Sequence, residues 1–301
     1  MHPIDSVQVH FNPGQLFVLN LCLAFIMFGV ALDLRIDNFS VLFRKPKAPI
    51  VGLSSQLVLL PILTLALVFL FRPAPSIALG MLLVAACPGG NVSNFAVHLA
   101  RGNAALSVLM TTISTLGAVA VTPLYFAFLA PLVPGSQDLR HDIYVNPLDM
   151  VSTIVQLILI PLAIGMFVHY RFPRLTARIQ KPIQRLSILI FLGFVVFAIH
   201  GNFDNIVRYL HIIFLLVLVH NASALFTGYW WARANRLPIA DARAISLETG
   251  IQNSGLGLIL IFNFFHGLGG MAMIAAWWGV WHLVSAFTMA MLWRRRQLEI
   301  A

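Results

Sequence analysis

Charge is what this chain has least of. Only 10% of its 301 residues are Asp, Glu, Lys or Arg, against 59% hydrophobic, whereas a soluble domain carries about a quarter charged residues. No soluble fold of this length covers so much apolar surface with so few charges, so the bilayer must act as the solvent. Lipid in turn admits only helices or closed barrels. Cysteine is nearly absent, and Cys22 and Cys87 both fall inside apolar segments, which argues against a disulfide framework. Nucleophile and base signatures are missing too. There is no His-Glu-x-x-His, no Gly-x-Ser-x-Gly and no pair of intramembrane aspartates, so the chain reads as a non-enzyme. The N-terminal MHPIDSVQVHFNPG has no Lys or Arg ahead of the first apolar run, which argues against a cleaved signal peptide.

What is present is a series of long apolar runs such as LFVLNLCLAFIMFGVAL and VSTIVQLILIPLAIGMFV. A barrel would show short alternating strands instead, so helices are predicted. About twenty apolar residues span the hydrocarbon. The expected spans are 15–34, 48–70, 76–100, 104–130, 149–170, 185–203, 207–232, 240–266 and 270–293. The fold class is therefore an all-α polytopic membrane protein of about nine transmembrane helices. An extracytoplasmic tail (1–14) precedes one membrane domain (15–293), and a basic cytoplasmic tail (294–301) follows it.

The net charge of +9 does not point to nucleic acid, because the basic residues lie in short loops between apolar runs. With the N-terminus outside, every Lys and Arg of the nineteen except Arg72, Arg140 and Arg208 falls on the inner side. Such a bias sets orientation. It places the C-terminus in the cytoplasm and the chain in a bacterial inner membrane or a plasma membrane. The lipid bilayer is then a partner, with no nucleic acid and no obligatory protein partner evident.

Two spans look broken. One reads IALGMLLVAACPGGNVSNFAVHLARG, with Pro88, Gly89 and Gly90 at mid-depth. The other reads ARAISLETGIQNSGLGLILIFNFF, with Glu248, Thr249, Gly250, Gln252, Asn253 and Ser254 at similar depth. Proline removes a backbone donor and glycine disfavours helix. Broken backbone at that depth is tolerated where it lines a cavity or is buried in protein, and paired interruptions in corresponding positions point to a transporter's binding site. The breaks fall in two halves, 15–130 and 149–293, as in an inverted repeat of five plus five helices that lacks its first.

Glu248 is the one acid placed deep in a span, and an intramembrane carboxylate is a functional hypothesis by default. Thr249, Gln252, Asn253 and Ser254 beside it, and Asn91, Ser93 and Asn94 at the other break, all carry oxygen. Ser107 and Thr111, four apart, share a helix face. Hard cations prefer such oxygens, while helix halves restarting at a break favour an anion. One Glu248 with two sodium ions leaves a net +1 for an organic anion to neutralise. The bland readings are a protonated structural Glu248, Ser and Thr that only bond back to their own helices, a Pro-Gly-Gly packing kink, and a satisfied core histidine at His282.

With these residues in view, the chain resembles the bile acid:sodium symporters. CPGGNVSNFAVHLARGNAALSV is similar to that family's Pro-Gly-Gly…Ser-Asn…Ala-Arg-Gly-Asn…Leu-Ser signature, and ETGIQNSGL to its Glu-x-Gly-x-Gln-Asn-Ser-Gly signature. FIMFGVALDLRIDNF and VWH also match, so the resemblance covers 15–293. It implies a core domain and a panel domain, with two discontinuous helices crossing in the core, in a nine-helix variant. It implies one sodium site at Ser93, Asn94, Ser107, Thr111 and Glu248, and a second at Gln56, Glu248, Gln252 and the carbonyls of Thr249 and Ile251. Substrate contacts carried over are Asn91, Val92, Asn253 and His282. Two sodium ions serve as coupling ions and no other cofactor is implied. Asn91 stands where bacterial members usually have Thr, and Leu283 where they often have Asn, so substrate identity is the least transferable part. Members carry bile acids or smaller anions such as pyruvate or pantoate. The expected function is sodium-coupled symport of an organic anion by alternating access. Its rival is a proton-coupled or uncoupled exporter of the related arsenite-carrier type.

Overall fold

A computed structural model describes residues 3–8, 13–32, 46–90, 92–139, 146–200 and 203–295. Among them the chain is helical, with two isolated β-bridges and no longer strand pairing. The helices are α1 (Pro13–Ala31), α2 (Lys47–Phe71), α3 (Pro75–Ala86), α4 (Val92–Leu99), α5 (Ala104–Leu129), α6 (147–171), α7 (Pro173–His200), α8 (Phe203–Ala234), α9 (Ile239–Gly250), α10 (Ser254–Phe264) and α11 (Gly269–Arg295). Five segments of 24 to 29 residues are long and apolar enough to cross a membrane: Lys47–Phe71, Ala104–Leu132, Leu148–Arg171, Arg208–Ala234 and Gly269–Arg295. At ~1.5 Å per residue these exceed the ~30 Å hydrocarbon layer. Leu16–Ala31, Pro75–Ala86 and Ser254–Phe264 are shorter apolar helices. Leu70, Phe128 and Leu148 are each more than 70% exposed, a surface suited to lipid.

Prolines shape several of these helices. Pro61 and Pro161 each follow a single wide π-turn, Ser55–Leu59 in α2 and Val155–Leu159 in α6. A proline ring clashes with the carbonyl four residues back, and the loosened turn relieves that clash. At Cys87 the backbone turns extended (φ −72°, ψ 156°) and Pro88 follows, which ends α3. The start of α7 lies twelve residues before the apolar run expected at 185, since RLTARIQKPIQ is helical but too basic to read as a span. Arg243, read from the sequence as a loop cation, sits inside α9 and is 4% exposed. Its guanidinium donates to Ala100 O at 2.8 Å and lies over the Trp293 ring, so the buried cation has an acceptor and an aromatic face beside it.

Packing divides the described helices into two groups. Helices α1, α6 and α7 pack on one another. Gly165 of α6 abuts the Phe28 carbonyl of α1, and Gly29 of α1 abuts Ile183 and Ser187 of α7. In the other group α3 packs on α5 and α11, α9 on α8 and α5, and α10 on α11. The groups meet where α1 touches α10, α6 touches α5 and α7 touches α11. At the α1–α10 seam Asn20 and Asn263 exchange side-chain hydrogen bonds at 3.2 and 2.9 Å. The segment before α1 is tied to the second group, with Asp5 Oδ1 accepting from Ser76 N at 3.0 Å and Val7 O from Gly269 N at 2.7 Å.

A methyl group on Gly165 would lie 2.8 Å from the backbone oxygen of Phe28. Gly165→Ala is expected to cost about 1–3 kcal/mol, read as a lower thermal-unfolding midpoint in detergent. Gly193→Ala, where nothing lies within 4 Å, should leave the midpoint unchanged or slightly raised.

Candidate functional site

The two breaks meet. Gly90 N donates to Ile251 O at 3.0 Å and Asn253 N donates to Pro88 O at 2.8 Å, so Gly89 and Gln252 form a one-residue antiparallel bridge. This pairing satisfies main-chain groups that a continuing helix would otherwise have used. Gly89 is confined there. A Cβ would lie 2.9 Å from both Gln56 Nε2 and Glu248 Oε2, so a larger residue would have to displace the ends of both side chains. Its amide donates to Ser114 Oγ of α5 at 3.1 Å.

Glu248, 0% exposed, projects from the last turn of α9 into a cluster of oxygens from α4 and α5. Ser93 Oγ and Ser107 Oγ both donate to its Oε1. Thr111 Oγ1 lies 3.0 Å from both carboxylate oxygens and 3.5 Å from Ser93 Oγ. Asn94 Oδ1 lies 2.8 Å from Ser107 Oγ and 3.3 Å from Thr111 Oγ1, competing for the same hydroxyl protons. Ser93, Asn94, Ser107, Thr111 and Glu248, expected together from the sequence, thus form one cluster. Thr111 has one proton and four acceptors in reach, its bond to Ser107 O at 3.0 Å included. The cluster is rich in lone pairs and poor in protons. Among the described residues no ion pair joins Glu248 to a protein cation, and no three His, Cys, Asp or Glu side chains converge. The donor set of one carboxylate with hydroxyl and amide oxygens is the kind a hard cation takes.

On the other side of Gly89 lie Gln56 of α2 and Gln252. Gln56 Nε2 is 3.5 Å from Gln252 Oε1, while Gln252 Nε2 donates to Thr249 O at 2.9 Å and to Glu248 O at 3.4 Å. Gln56 Oε1 is buried with no hydrogen-bond partner, an orphan that an oxygen-seeking ligand would satisfy. The carbonyl of Ile251 is already held by Gly90 N. Gln56, Thr249, Ile251 and Gln252 are therefore adjacent to one another, and Glu248 borders both groups.

The residues carried over as substrate contacts are less closely grouped. Val92 is the first residue of α4, and Asn91 lies outside the described residues. Asn253 caps α10, its Oδ1 accepting from Leu256 N at 3.0 Å, which leaves Nδ2 facing Met27 of α1 at 3.9 Å. His282 is 4% exposed on α11, with Nδ1 buried and without a partner. Among the described residues no hydrogen bond joins it to Asn253.

Several supporting residues escape sequence reading. Ser114 extends the Ser107–Thr111 face by one turn and was detectable by that spacing. Thr122 Oγ1 donates to Ala86 O at 2.7 Å, capping the broken end of α3. Ser55 Oγ pairs with Thr249 Oγ1 at 2.9 Å, and Asn221 Nδ2 of α8 donates to Gly250 O at 2.7 Å. His220 beside it meets Thr64 Oγ1 at 2.7 Å and packs edge-on to Trp278. A polar residue in an apolar helix was the available signal, but nothing in the sequence says which helix it faces.

A family model described as the sodium bile acid symporter family matches residues 20–209. A protein of Bacillus subtilis (strain 168) described as the uncharacterized sodium-dependent transporter YocS is 34% identical over 278 residues, covering 92% of this chain and 83% of that one. The probable chloroplastic sodium/metabolite cotransporter BASS1 of Arabidopsis thaliana is 33% identical over 91% of this chain. The corresponding BASS2 of Oryza sativa subsp. japonica is 32% identical over 81%. The chain spans 66% and 56% of the lengths of these two plant proteins. With a family model covering well over half of its length and signatures that gather at one buried carboxylate, the chain belongs to the sodium bile acid symporter family.

Proposed function

We propose that this protein is a sodium-coupled carrier of a small organic anion that works by alternating access. The observation that carries the reading is Glu248, a fully buried carboxylate amid oxygens, with no protein cation paired to it among the described residues. A buried carboxylate without a counter-charge is costly, and a cation bound from solution offsets that cost. One sodium ion takes Ser93, Asn94, Ser107, Thr111 and Glu248. A second takes Gln56, Gln252, Glu248 and the carbonyls of Thr249 and Ile251. Glu248 lies between them, so filling one site changes the field at the other.

The anion is recognised across the break. Helices α4 and α10 both restart there, and their N-terminal N–H groups carry partial positive charge. Because Asn253 Oδ1 is committed to its cap, its Nδ2 is the end available to an anion. It points toward α1, at the seam between the two packed groups. His282 supplies a further nitrogen from α11. In this reading the two groups are panel (α1, α6, α7) and core, nine crossings arise from an inverted repeat, and the N-terminus faces outward. The names of the bacterial and plant relatives, sodium-dependent transporter and sodium/metabolite cotransporter, support the sodium half of the reading. A small monocarboxylate or a bile-acid-like anion both suit a site with so few cations.

Thermal unfolding of the purified protein, titrated with NaCl against choline chloride at fixed ionic strength, is the direct test. A ligand at one hundred times its Kd adds about 2.7 kcal/mol to folded-state stability. Wild type should rise with sodium and Glu248→Gln should not. Sodium-driven uptake undiminished in Glu248→Gln would sink the mechanism, and indifference of wild type to sodium would move the reading to a proton at Glu248. A second outcome concerns Asn253→Ser, which keeps a capping oxygen but lacks the amide donor. It is expected to weaken anion binding at least tenfold while the sodium response stays within twofold, as read by anion titration in saturating sodium.

A further inference from the structure

Helix α9 ends inside the protein, so the carbonyls of its last turn need partners that a continuing helix would have supplied. Three are met within the break. Leu247 O accepts from Ile251 N at 2.9 Å, and Thr249 O and Glu248 O accept from the Gln252 amide at 2.9 and 3.4 Å. The fourth, Gly250 O, is taken from another helix by Asn221 of α8, whose Nδ2 donates at 2.7 Å and whose side chain is 0% exposed.

So short a side chain reaches this carbonyl because α8 and α9 are almost in backbone contact. A Cβ on Gly228 would lie 2.8 Å from Ser246 Cα and 2.9 Å from Thr249 Oγ1, and one on Gly250 would lie 2.6 Å from Leu225 Cγ. Ser246 Oγ donates to Leu225 O at 2.6 Å along the same seam. Small residues permit such approach. Beyond Gly250 the backbone is extended at Ile251 (φ −112°, ψ 108°), and in extended chain successive carbonyls point to opposite sides. Gly250 O points to α8, and Ile251 O points the other way, to Gly90 N. Glycine itself does little to fix this peptide plane.

We propose that Asn221 is a positioning residue of the second cation subsite. By holding the Gly250 carbonyl against α8, it keeps the Ile251 carbonyl turned away from α8, toward the bridge. The proposal rests on the sodium reading of the preceding subsection. It also separates Asn221 from Thr122, which caps the broken end of α3 by a similar bond to Ala86 O at 2.7 Å and has no carbonyl of the subsite to orient.

The experiment compares wild type, Asn221→Leu, Asn221→Ser and Thr122→Val as full-length purified proteins. Each is thermally unfolded across an NaCl titration, with choline chloride holding ionic strength. Loss of one buried hydrogen bond corresponds to about a tenfold change in an equilibrium constant. Both Asn221 variants should therefore need about tenfold more sodium for half of the stabilisation, with the Hill coefficient falling toward one. Thr122→Val should lose midpoint in choline but keep the wild-type sodium dependence. A half-point within twofold of wild type in a folded Asn221 variant overturns the proposal. So does an equal sodium shift in Thr122→Val, or failure of both Asn221 variants to fold where Thr122→Val folds. Wild type without any sodium response would instead overturn the functional reading, and this inference with it.

Discussion

One buried carboxylate organises the interior. Glu248 lies at the end of α9 with no exposure, and a charge there is tolerable only while hydroxyl donors or a cation stay within reach. Three hydroxyls meet it from α4 and α5. Ser93 comes from the first turn of α4, just after one interruption, and Glu248 from the last turn of α9, just before the other. The two interruptions thus flank one electrostatic centre, and the main-chain groups they free pair with each other.

The helical, membrane-embedded class was legible because composition alone excludes a soluble fold, and residue-type contrast made the oxygen cluster stand out. Ser107 and Thr111 share a face by spacing, and Glu248 is conspicuous in an apolar run. The structure adds partners that no periodicity encodes. Asn221 and Gly250 are 29 positions apart, and only the close approach at Gly228 and Gly250 brings them together. The bridge between Gly89 and Gln252 joins still more distant positions. At α7 the sequence misled for a clear reason. A hydropathy window sees arginines and lysine and stops, whereas the helix continues through them because those side chains have good helix propensity and can point outward.

Two kinds of packing coexist in the fold. Within each group, glycines let helices approach to backbone distance, as at Gly165 and Gly228. Between the groups, where α1 meets α10, the contact is made instead by side-chain amides and a thioether, Asn20 with Asn263 and Asn253 with Met27. Backbone-close seams resist sliding because a shift of one residue brings atoms into overlap. Seams made of long side chains tolerate displacement, since rotamers can follow. The division of the described helices into two groups is therefore expressed in residue size.

The bridge at the crossing uses only peptide N–H and C=O groups, from Pro88, Gly90, Ile251 and Asn253. Apart from the ring of Pro88 and the bare Cα of the glycines, it places no demand on side-chain chemistry. Side chains beside it can change by single mutations without unfastening the scaffold that presents them. Where the anion binds at this crossing, as proposed, a protein built this way has evolutionary room to exchange one cargo for another, because its architecture is carried by the main chain.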